Sequence, residues 1–126
     1  MLTTTDIGDI LYALLPGTVF HEDCFPEGEV REERTVIIVK ESTAGTFWHK
    51  CFAEVNFLVP DRGGRKDRRR LGEIERAMQP LLRRGSGVRD GTFWRFDLVS
   101  FGVTGDRTLR AHYINFRLLF KQKNTL

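Results

Sequence analysis

At 126 residues, 40% of them apolar and 29% charged, the chain has the composition of one globular domain, too short for two cores and too apolar to stay disordered. A net charge of +3 argues against a molecule whose whole field is built to hold nucleic acid. No apolar run is long enough to cross a bilayer, the polar start Met1 to Asp6 lacks the order of a signal peptide, and two cysteines make no disulfide framework, so Cys24 and Cys51 are expected as reduced thiols in a cytoplasm.

Residues 5–15 predict an amphipathic helix. Ile7, Ile10, Leu11 and Leu14 share one face, Thr4 or Thr5 caps the start, Asp6 and Asp9 suit the positive end, and Leu15-Pro16-Gly17 stops it. A short strand over 18–21 leads into a connection containing Pro26 and Gly28. Residues 35–41, β-branched from Thr35 to Val39, read as a strand buried on both faces. After a turn at Ser42-Thr43-Ala44-Gly45, residues 47–59 form its partner, with Cys51, Ala53, Val55, Phe57 and Val59 on one side.

Residues 67–79 predict a second helix with an apolar stripe of Leu71, Ile74, Met78 and Leu81, kinked or ended by Pro80. Gly85-Ser86-Gly87 reads as a loop. Strands over 92–103 and 109–121 come next, joined by Thr104-Gly105-Asp106-Arg107; His112, Ile114, Phe116, Leu118 and Phe120 face one way along the last. Gly-Thr-Phe-Trp occurs at 45–48 and 91–94, but the residues after the two copies do not correspond, so it is no duplication. The expected fold is a single α+β domain over 1–126, in the order α-β-β-β-α-β-β. It has a mostly antiparallel sheet of four to five strands and two helices packed on one face.

Catalytic chemistry is sparse. His21-x-x-Cys24 and His49-x-Cys51 offer tetrahedral ligand types without zinc-site spacing, and Cys51 falls among core positions, so no metal or other cofactor is expected. Pro60-Asp61 is not followed by the acid-x-Lys of metal-dependent nucleases. Spacing alone leaves open a histidine-pair ribonuclease with His49 and His112 as base and acid, but each reads more simply as a strand residue. There is no phosphate loop with its lysine and no Gly-x-Ser-x-Gly turn. The aromatics fall on both sheet faces: Phe93 and Phe101 are placed opposite Trp94 and Phe96, which speaks for core over a base-stacking platform.

Charge is the strongest signal. Glu22, Asp23, Glu27, Glu29, Glu32 and Glu33 are opposed only by Arg31, and Arg62, Arg65, Lys66, Arg68, Arg69 and Arg70 only by Asp67. Five positive charges at a helix start oppose its dipole, and Gly63-Gly64 make the basic stretch read as a mobile loop. Either nucleic-acid phosphates or the acidic stretch of a second subunit would satisfy it.

In order and texture the whole chain resembles the tail-terminator (tail-completion) proteins of long-tailed bacteriophages. An N-terminal helix ends at Leu14-Leu15, a Gly-x-Val-aromatic step occupies 17–20, and a β-rich strand spans 36–39. A long strand ends at Phe57-Leu58-Val59, a helix closes on Leu81-Leu82, and a Gly105-Asp106 turn precedes the last strand, ending near Phe120. The Arg-rich stretch departs from that pattern. The resemblance implies a non-enzymatic protein of the virion tail or neck, present in the host cytoplasm during assembly. It would form a homo-oligomeric ring, typically a hexamer, between the tail tube protein and the head–tail connector, with no membrane partner. A ring needs two different mating patches per subunit, and segments 22–33 and 62–70 are the expected halves. The alternative is a small nucleic-acid-binding module using 62–70.

Overall fold

The computed structural model describes residues 1–123. Helix α1, Thr4–Leu14, is too short to persist alone and is held by its buried face, Ile7 and Leu11, each worth about 2 kcal/mol of burial. Its cap is Thr3, one residue before the expected threonines: the Thr3 hydroxyl accepts from the Asp6 N–H while the Asp6 carboxylate accepts from the Thr3 N–H, a reciprocal box that neither Thr4 nor Thr5 could close on Asp6.

Strands β1, Val19–His21; β2, Arg34–Thr43; and β3, Trp48–Pro60, come next in the chain, with a 3-10 turn at Glu22–Cys24 between β1 and β2. Helix α2 spans Arg68–Leu82, and the last three strands are β4, Arg84–Arg89; β5, Thr92–Asp106; and β6, Ala111–Lys123. Pro80 sits in the final turn of α2, which continues to Leu82 instead of stopping.

The α+β class stands; the expected sheet is corrected in number and order, and its mostly antiparallel pairing includes one parallel pair. The six strands run β1-β2-β3-β6-β5-β4, all pairs antiparallel except β1 with β2. The extra strand is β4, at the supposed Gly85-Ser86-Gly87 loop. Gly85 lies opposite Phe96 and Gly87 opposite Trp94, and an added Cβ would come within 2.4 Å and 2.7 Å of those rings. The glycines let the rings lie down on the backbone, so here they mark close approach rather than a turn.

Both helices cover one face. Ile7 and Leu11 of α1, with Leu71, Ile74 and Leu82 of α2, pack on Cys51, Ala53, Val55, Phe57, Phe116, Leu118 and Phe120. A bulge between Leu98 and Ser100 shifts the parity of β5. Phe101 therefore stacks on Phe116 on the helix-bearing face, 5.7 Å between centroids, while Phe93 tilts against Trp48 on the outer face. The expectation that Phe93 and Phe101 share a face fails for that reason.

The β1–β2 connection crosses the outer face near the Pro60 end of β3. Its Val30 is buried with Val36, Leu58 and Ala111, and the Val30 N–H donates to the Leu109 carbonyl. Near the Trp48 end the outer face is not crossed by that connection.

Candidate functional site

Residues 29–33 and the basic segment meet at the Pro60 end of the sheet, whereas Glu22 and Asp23 line a separate pocket with Thr4, Asp9, His21 and Val39. Residues 62–65 form a two-residue hairpin, not a slack loop: Arg62 and Arg65 exchange both backbone hydrogen bonds, and Gly63 and Gly64 adopt φ of +58° and +75°. Glycine pairs supply that left-handed geometry without strain. Asp67 then caps α2 by accepting from the Arg70 N–H. Beside the hairpin, Glu29, Arg31, Asp61, Gly64, Arg107 and Arg110 line one cleft, so acidic and basic segments are neighbours within a single subunit.

One pair is already closed internally. The Arg70 guanidinium donates to both Glu33 oxygens at 2.7 and 2.8 Å and to Glu73 at 3.2 Å, which raises its pKa further. Arg69 pairs with Glu73 at 3.3 Å. Glu22, Asp23, Glu27, Glu29 and Glu32 are exposed, as are Arg62, Arg65, Lys66 and Arg68, and none of these makes an ion pair among the described residues.

The histidines are dispersed. His49 pairs across the sheet with Gln122 and His112 with Val59, ten positions of β3 apart, so about 33 Å separates them and they cannot serve one reacting bond. His112 Nδ1 lies 2.7 Å from Asp61 Oδ1, and its Nε2 faces the backbone of Gly105. His21 stacks on Tyr12 and lies 3.8 Å from Asp9. Among the described residues no three His, Cys, Asp or Glu side chains gather as a metal site. Cys51 is buried and donates to the Lys40 carbonyl; burial pushes its thiol pKa up.

Two features of the sheet were not foreseen. First, each lateral edge is paired with a strand over only part of its length. On one edge β1 pairs with Thr35–Ile37 of β2, leaving the outer side of β2 without a strand from Ile38 to Thr43 among the described residues, its other side being paired with β3. On the other, β4 pairs with residues 92–97 of β5, and among the described residues no strand pairs with this outer side of β5 beyond Leu98, whose N–H donates to the Arg83 carbonyl. That bare stretch exposes Val99, Phe101 and Val103 by 53%, 43% and 41%. The two uncovered half-edges are diagonal, one toward the Trp48 end and one toward the Pro60 end. The strand pattern of residues 92–103 marked these apolar residues, but only the end of β4 shows that they stay uncovered.

Second, the outer face carries a row of cations. Lys50 of β3 is opposite Lys121 of β6, which is opposite Arg95 of β5. Like charges directly across a sheet cost about 0.2–1 kcal/mol each. The acids of this face are engaged elsewhere: Glu54 with Lys40, and Asp97 with Arg84 and, at 3.9 Å, Arg95. Next to the row stand Trp48 and Phe93, and Arg95 lies over the Trp48 ring at 5.5 Å. The three cations are far apart in sequence, so no charge run signalled them.

No protein-family model matches the chain, and no curated protein matches it.

Proposed function

We propose that the protein is a structural, self-assembling component, a phage or prophage tail-completion protein whose copies join edge to edge into a ring. The ring would cap the tail tube and meet the head–tail connector. The observation that carries this reading is the pair of staggered half-edges, one lined by Val99, Phe101 and Val103. Unpaired edges with apolar side chains invite strand addition, and single-chain proteins normally blunt them. With β2 and β5 running in opposite directions, the free half of β5 in one copy can pair antiparallel with the free half of β2 in a copy of the same orientation. That contact is heterologous, as ring closure requires.

In this arrangement the charged segments do not mate as opposite halves, because residues 29–33 already lie beside the basic segment and Glu33 is held by Arg70. Glu29 and Glu32 with Arg62, Arg65, Lys66, Arg68 and Arg69 instead form a two-signed surface at one end, suited to recognising the tube or connector and steering approach, while Glu22 and Asp23 lie apart beside α1. Light scattering over a concentration and salt series tests the proposal. A closed oligomer is expected, reduced to monomer by Val99→Lys with Phe101→Lys. A wild-type chain that stays monomeric at high concentration in low salt would refute it.

A further inference from the structure

We infer that the outer face of the sheet, at its Trp48 end, is a binding surface for single-stranded nucleic acid. The inference does not depend on ring assembly and concerns a different surface from the basic hairpin. Lys50, Lys121 and Arg95 stand side by side on three adjacent strands, a row about 10 Å long. Neither lysine has an ion-pair partner among the described residues. A fold that holds three cations in register, with one acid, Asp97, reaching only the Arg95 end, has a use for an anion there.

The neighbouring rings choose the anion. Trp48 and Phe93 meet at 6.2 Å between centroids with planes 59° apart, and Phe93 is 39% exposed. Phe93 is exposed and Trp48 half-buried beside the cations, where bases can stack while phosphates meet the row. A duplex keeps its bases stacked on each other and would engage the cations alone. An acidic protein segment would also leave the rings unused. Arg95, lying over Trp48, is placed to contact both a base and its phosphate.

The test is fluorescence anisotropy of a labelled oligothymidine of about 16 nucleotides titrated with the full chain. Three phosphate contacts on a single strand predict an affinity falling about 20-fold between about 50 and 200 mM salt. Lys50→Glu with Lys121→Glu should abolish binding while the thermal midpoint holds or rises. Trp48→Ala should weaken it about five- to hundredfold, the loss of one stacked base. Arg68→Glu with Arg69→Glu should leave it unchanged. The inference is overturned by absence of binding at low salt, or by binding that survives the lysine pair. It is equally overturned by binding indifferent to Trp48→Ala and matched by polyglutamate, which would assign the surface to an acidic protein.

Discussion

Replacing Lys121 by glutamate should stabilise the protein. Lys121 is the middle of the cationic row, with Lys50 across one strand pair and Arg95 across the other. The substitution turns two repulsive pairs into attractive ones. Arg95 already shares Asp97 at 3.9 Å, so most of the gain comes from Lys50. With cross-strand charge pairs worth about 0.2–1 kcal/mol in either sense, the combined swing is about 1–2 kcal/mol at low ionic strength. Lysine and glutamate are similarly disfavoured in strands, so intrinsic propensity contributes little. For a domain of this size the gain corresponds to a rise of roughly 4–8 °C in thermal midpoint. Scanning calorimetry in about 10 mM and about 1 M salt separates charge from other causes, because the Debye length falls from about 30 Å to about 3 Å. The rise should be largest in dilute buffer and small in concentrated salt, with Lys121→Gln giving about half. An unchanged or lower midpoint in dilute buffer would refute the argument, as would a gain independent of salt.

Two glycines should respond in opposite senses to alanine. Gly85→Ala drives a methyl into the Phe96 ring and should cost about 1–3 kcal/mol, whereas Gly72→Ala, inside α2 with nothing within 4 Å of the new Cβ, should add about 0.5–1 kcal/mol; urea midpoints measure both. The Thr3 backbone N–H, then its hydroxyl, holds the Asp6 carboxyl below its ordinary value of 3.8. A depressed carboxyl stabilises the fold above that ordinary value, and the contribution is lost as pH falls through the folded value. Asp6→Asn should therefore flatten the urea midpoint below about pH 4, and a wild-type curve no steeper than the variant's would contradict the box.

The helices and the central hairpin were legible because their signals are local. The stripe of Ile7 and Leu11, and that of Leu71 and Ile74, repeat at helical spacing and face the core as expected. The alternation from Cys51 to Phe57 survives in β3 and ends at Leu58, which Val30 covers on the outer face. The features that escaped depend on partners distant in sequence. Gly85 and Gly87 look like a turn until Phe96 and Trp94 are laid over them from the next strand. The Leu98–Ser100 bulge inserts a residue that no alternation pattern announces, and it alone moves Phe101 to the helix-bearing face. The charge runs were plain, but the Arg70–Glu33 clasp joins residues 37 apart, and only the fold brings them together. The row of Lys50, Lys121 and Arg95 is the extreme case, being a property of sheet register alone.

The diagonal placement of the free half-edges has a geometric consequence for any assembly built on them. Measured along β3, the bare part of β2 lies level with residues 50–54 and that of β5 with residues 54–60. Their centres differ by about five residues, or about 16 Å along the strands. Pairing them shifts each copy by that amount for every four strands of advance, about 19 Å across the sheet. If the strands stood parallel to the assembly axis, the shift would accumulate and the copies would climb into an open helix. Closure instead requires the strands to lean by about 40°, within the tilt of about 35–45° at which β-barrels absorb their shear. The stagger that looks like two unfinished edges in one subunit is therefore the pitch a closed ring would need to cancel.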